Sequence, residues 1–258
     1  MWCPQKGSVC QLRRHAGKRA RTAADEGKVQ CGKIMDDGET LHPLLCEHGG
    51  AKSRPHESVK MVCGGALRRA GAFIDYERVI PELADQVRRH ASEHGQSETG
   101  EAEKDRVARL DVVASWPGQT TAWWLDVSVR CPTAERYAAE KPAAADSSTK
   151  GEAEKALRYG QAVRPIVFES MGRLGFRSQR TLHEFASAAE QAGSHHARFP
   201  VSQWRLRMER ALITAVADTL CRAVGAQENS SGQQLGSRDL PLQRALQMFD
   251  CVHCVFCL

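Results

Sequence analysis

Apolar residues first fall into a regular pattern after His56, where Val59, Val62, Cys63, Ala66, Leu67 and Ala70 form one helical stripe that Gly71 ends. Gly64 and Gly65 weaken that helix. The run "AFIDYERVI" is strand-like, and two further apolar runs, "RLDVVAS" and "AWWLDVSVR", flank the turn signal "PGQT" and predict a hairpin. Downstream, "GEAEKALRYGQAV" predicts a helix and "RPIVFES" a short buried strand. Two amphipathic helices follow in "SQRTLHEFASAAEQA" and "VSQWRLRMERALITAVADTLCRAV". The order helix, strand, strand, strand, helix, strand, helix, helix argues for an α/β (α+β) fold, a mixed central sheet flanked by helices.

Elsewhere the periodicity fails. Residues 1–55 are rich in Cys, His, Gly and basic residues and read as loop held by something other than a core. His90 to Asp105 is polar and charged and reads as a loop or insertion, "EKPAAADSSTKG" is low in complexity, and the chain from Gln227 looks disordered. The expected organisation is a basic module at 1–55, the sheet domain at 56–226 and a tail at 227–258, with no internal repeat.

No stretch is apolar for long enough to span a membrane, and the basic start lacks the apolar core of a secretory signal, so the expectation is a soluble intracellular protein with no membrane partner. Ten cysteines in that setting read as thiols or metal ligands rather than a disulfide framework. A net charge of +5 is modest and points to a polyanion only where basic residues cluster, as in "RRHAGKRAR", with Arg13, Arg14, Lys18, Arg19 and Arg21.

The hairpin places one aspartate in each strand. Centred between Gly118 and Gln119, its paired positions sum to 237, which sets Asp111 opposite Asp126. Alternation sends Leu110, Val112, Ala114, Trp123, Leu125, Val127 and Val129 into a core and Arg109, Asp111, Val113, Trp124, Asp126 and Ser128 to the other, polar side. Opposed like charges repel, and a hard divalent cation such as Mg²⁺ relieves the repulsion by taking both carboxylates. A shifted register, or an open face on which each Asp is solvated or paired with Arg109 or Arg130, is the equal alternative. Glu77, in the preceding strand, is a candidate third carboxylate or an exposed strand residue. Lys155, one helical turn before Tyr159, is a candidate for orienting water or stabilising charge on a phosphate, or an ordinary helical lysine.

Ahead of the sheet, Cys10, Cys31, His42 and Cys46 form a C-x20-C-x10-H-x3-C array. Three thiolates and an imidazole suit a closed tetrahedral Zn²⁺ site that would organise a segment too polar to fold alone; scattered thiols are the alternative. Cys3, His15, His48 and His56 are rival ligands. The tail "CVHCVFCL" is left unassigned.

Taken in order, "HPLLCEHGGAKSRPH", "YERVIPEL", "RLDVV", "WWLDVSVRCP", "EKALRY" and "FESMGRLG" resemble the C-terminal restriction-like endonuclease segment of non-LTR retrotransposon polyproteins, a branch of the PD-(D/E)XK nucleases, over roughly residues 10–225. The resemblance implies a restriction-endonuclease-like sheet and a preceding Cys-Cys-His-Cys zinc-binding module. Asp111 matches the family's first aspartate, with Leu110 where proline is usual, and Asp126 matches its second acid. Ser128 stands where many members carry lysine, and in the retrotransposon branch that lysine lies in the next helix, matching Lys155. The implied activity is Mg²⁺- or Mn²⁺-dependent hydrolysis of DNA phosphodiesters in the nucleus, with DNA, and RNA of a parent element, as partners. A zinc-containing nucleic-acid-binding remnant that no longer cuts is the alternative, and a host protein using the fold only as a scaffold is a third reading. A reverse transcriptase would normally precede such a segment, so the chain reads as a fragment or a domesticated remnant.

Overall fold

A computed structural model describes residues 8–9, 34–35, 42–46, 52–93, 108–132, 134, 147–191 and 201–223. The chain divides into two compact units, Ser58–Glu209 and Met1–Glu57 together with Arg210–Leu258.

In the second of these, β1 (Ser8–Val9) pairs antiparallel with β2 (Ile34–Met35), and a single helical turn, α1 (His42–Leu45), follows. Periodicity predicts none of these in residues 1–55, because two-residue strands and one turn of helix are shorter than any repeat. The long helix α2 (Ser53–Arg69) begins in this unit and continues into the sheet unit. In the same way α6 (Val201–Ala223) passes between units, and on its later part Asp218 accepts from Arg54 at 3.0 Å.

The sheet unit is α/β. Four strands, β3 (Phe73–Val79), β4 (Arg109–Ser115), β5 (Trp123–Arg130) and β6 (Val163–Glu169), lie side by side in that order. The first three are antiparallel, and β6 runs parallel to β5, so the sheet is mixed. A parallel neighbour needs a crossover, which α4 (Ser147–Tyr159) provides. Pro165, which cannot donate to a ladder, is tolerated because β6 is an edge strand. At the other edge β3 is exposed and carries Asp75 and Arg78, paired at 3.0 Å.

Both faces are covered. On one, α4 packs against β5 and β6, and α3 (Ala84–Glu93) packs against α4. Between them lies an apolar cluster of Ile80, Leu83, Val87, Ala108, Leu110, Val113, Tyr159 and Val163. On the other, α5 (Phe176–Gln191) packs on β6, and its Phe185 meets Trp123 with ring centres 5.2 Å apart.

Several sequence expectations change here. Helix α3 runs to Glu93, into the stretch read as loop from His90, because Val87 and Ala91 give it one buried edge that its charged residues mask. Helix α4 starts at Ser147, inside the low-complexity segment. Glu169 at the end of β6 supplies the missing cap, accepting from Ser147 Oγ at 3.0 Å and from the Ser148 amide at 3.4 Å. Gly64 lies within α2 rather than breaking it. A Cβ there would sit 2.3 Å from the buried Tyr76 hydroxyl, so close approach to β3 outweighs helix propensity.

Candidate functional site

Around the turn at Gly118, whose φ of 78° needs glycine, the hairpin pairs Ala114 with Trp123, Val113 with Trp124 and Val112 with Leu125. This is the register read from the sequence, and its next rung would be Asp111 opposite Asp126. The ladder stops short of that rung. Instead the Asp111 carboxylate turns toward β5, and its Oδ2 accepts the Val127 backbone N–H at 2.7 Å. A side chain thus takes over an acceptor role that a strand's carbonyl would fill.

The ladder on the other side of β4 is interrupted at the same residue. Tyr76 pairs with Val112 and Arg78 with Leu110, while Glu77, in line with Asp111, is skipped. Glu77 has a φ of 54°, the one positive value among the described non-glycine residues, a conformation that costs roughly 1–2 kcal/mol. Leu110 belongs to the α3/α4-side cluster with Val113, where strict alternation put it on the opposite face.

Asp111 and Asp126 therefore meet, but not on a polar, open side. The two aspartates are buried, 8% and 9% exposed. From α4, Lys155 forms an ion pair with Asp126 Oδ2 and approaches the Val127 carbonyl oxygen at 3.4 Å. The pairing expected from arginine is thus made by lysine. Arg130 engages Glu154 at 2.8 Å and the Ser128 hydroxyl at 3.2 Å.

Burial pushes the Asp126 carboxyl up to about 6; the Lys155 ammonium pulls it down, and the Asp111 charge and hydrogen bond push it up. The Asp111 charge also reaches α2: burial first, and Asp111 second, hold the Cys63 thiol up at about 12, so it stays protonated.

Glu77 does not join the pair. Its carboxylate receives the buried Lys60 ammonium at 2.5 Å and is 45% exposed on its side chain. Among the described residues no three Cys, His, Asp or Glu side chains converge as a metal cage. His42 and Cys46 lie one helical turn apart at α1, with Cys46 buried. Cys10, Cys31 and the basic cluster Arg13, Arg14, Lys18, Arg19 and Arg21 lie outside the described residues.

Sequence reasoning missed the group that holds α4 in place. Glu152, one turn before Lys155 and 1% exposed, accepts from the Ser178 amide at 2.7 Å, the Ser178 hydroxyl at 2.6 Å and the Arg177 amide at 3.1 Å. It caps the N-terminus of α5, where a carboxylate is favoured by the unpaired amides and the helix dipole. Gly175 makes room, since a Cβ there would lie 2.2 Å from Glu152 Oε1. Nothing in "GEAEKALRY" distinguishes this glutamate from its exposed neighbour Glu154.

No protein-family model, curated protein or solved structure matches the chain.

Proposed function

We propose that the chain is a metal-dependent endonuclease domain with a restriction-endonuclease-like sheet, hydrolysing DNA phosphodiesters with Mg²⁺ or Mn²⁺. One observation carries this reading: two carboxylates from neighbouring strands and one ammonium from the crossover helix meet at a single buried point. The donor set fits a hard cation. Asp111, Asp126 and the Val127 carbonyl, which lies 3.4 Å from the same ammonium, are all oxygen donors, and a bound cation would offset the burial that raises the Asp126 acid. When bound, the cation would supply Lewis-acid activation of water and of a phosphate oxygen. Asp111 and Asp126 would hold it, and Lys155 would orient water or offset charge developing on the phosphate. Glu77, kept apart by Lys60, would tune the site rather than ligate.

The N-terminal unit is read as a zinc-binding module through Cys10, Cys31, His42 and Cys46. In its support, the β1–β2 ladder joins Val9, the residue before Cys10, to Ile34, three residues after Cys31. The basic cluster from Arg13 to Arg21 would then press on DNA phosphates without reading sequence, in a nuclear setting, with RNA of a parent element as a further partner.

Supercoiled plasmid incubated with Mg²⁺ or Mn²⁺ tests the activity. Nicking by the wild type, reduced about 10²-fold or more by Asp126→Asn with DNA binding retained, is expected. One observation favours a second reading, an inactive nucleic-acid-binding remnant. Ser128, where many members of the family that the sequence resembles carry lysine, is tied to Arg130. A wild type that binds DNA and nicks with neither metal would establish that reading instead.

A further inference from the structure

The opposite face of the sheet carries a second cluster of charged groups that the acid pair does not use. Trp123 and Asp126 are three residues apart on β5, so their side chains leave opposite faces about 10 Å apart along the strand. On the Trp123 side, an open groove of about 750 Å³ runs between the β4–β5 turn and α5. Arg164, Arg180, His183, Glu184, Trp123 and Thr120 line it.

The hydrogen-bonding capacity of these groups is lopsided. Glu184 is the one carboxylate among the lining residues, and it is already taken by two guanidinium groups, Arg164 Nε at 3.2 Å and Arg180 Nε at 3.3 Å. Both pairings run through Nε, and neither guanidinium makes a hydrogen bond from its outer nitrogens among the described residues. Arg164 is fixed in place as well, its guanidinium lying 3.9 Å over the Trp123 ring. The His183 ring, exposed one turn away on α5, makes no hydrogen bond among the described residues. Two guanidinium charges against one carboxylate leave the groove net positive, with its one carboxylate engaged.

We propose that this groove binds phosphate esters, with the backbone of a nucleic-acid strand as the expected source. Outward guanidinium edges match a phosphate's oxygens in fork geometry. The groove is open along its length, which suits a chain better than a small enclosed ligand. Arg164 already occupies a face of Trp123, so a base finds no stacking platform there and the contact is indifferent to sequence. The inference does not depend on the acid pair, which lies on the other face.

Binding of a fluorescein-labelled DNA duplex to the full chain tests it, read by anisotropy across a sodium chloride series with no magnesium added. Arg180 is 78% exposed on its side chain and His183 is exposed, so Arg180→Gln with His183→Gln leaves the fold intact. The control is Arg205→Gln on α6, which removes a charge paired with Glu209 and remote from the groove in sequence. The double variant should bind roughly tenfold more weakly, with the slope of log affinity against log salt reduced by about one, while the control changes little. Arg180→Lys with His183 intact should recover part of the loss.

Inorganic phosphate and a nucleoside monophosphate, titrated as competitors, separate the sources. If millimolar monophosphate displaces the duplex from wild type but not further from the double variant, the groove takes free esters as well as strands. If the variant loses duplex affinity and monophosphate does not compete, the strand is the source. A double variant indistinguishable from Arg205→Gln with every probe, or a wild type that binds none of them, overturns the proposal. Loss of plasmid nicking alone would bear on the acid pair and leave this binding unchanged.

Discussion

Asp126 carries opposing demands. Burial favours its neutral form, Lys155 favours its charged form, and the result is an acid that titrates near 6 rather than 3.8. Because the folded value lies above the unfolded one, the stability it contributes is fully present below about pH 4. It is lost as the pH rises through 6, a change on the order of 3 kcal/mol. Chemical denaturation of wild type and Asp126→Asn at pH 4.5 and 7 isolates this group. Wild type should lose more stability over that interval than the variant, and equal losses would mean that Asp126 titrates normally. On the metal-dependent reading a divalent cation would bind the ionised acid, and it should then restore stability to wild type at pH 7 and little to the variant.

The elements are joined at their ends by buried carboxylates. Glu169 closes the start of α4, and Glu152, within α4, closes the start of α5. Lys155 thus stands on a helix fixed at one end and braced along its length, which is how a flexible side chain comes to be held against Asp126. Glu152→Ala removes the acceptor for three donors and should cost about 2–4 kcal/mol in thermal or urea unfolding. A loss below about 0.5 kcal/mol would mean the α5 amides find other partners. Much of this layer was legible in the sequence. The hairpin register follows from "PGQT" and alternation, and the strand and helix order from periodicity. What was not legible depends on contacts between distant segments. The cap on Ser147 comes from Glu169, the positive φ at Glu77 falls where the rung with Asp111 is missing, and Gly64 is explained by Tyr76. The acids themselves were legible because they break an apolar pattern, while Glu152 was not, because glutamate is ordinary in a helix.

At the scale of the molecule, two units share two continuous helices, α2 and α6, and the proposed chemistry divides between them. The zinc reading belongs to the unit that contains His42 and Cys46. It predicts about one zinc per chain in protein purified without added metal, and much less in a His42→Ala, Cys46→Ala variant. Zinc content far below one in the wild type would remove that module from the account and leave the sheet unit's acid pair untouched. The sheet unit carries a different kind of dependency. Asp111 is half of the acid pair and also the acceptor for the Val127 amide. Replacing it with alanine strands a buried N–H as well as removing a charge, whereas asparagine keeps the acceptor. A lineage that gave up cutting would be free to exchange Asp126 and Lys155 together for an uncharged pair and would still be held to an acceptor at position 111. The persistence of an aspartate or asparagine there in a descendant would record the upkeep of its architecture and say nothing about whether it still cleaves.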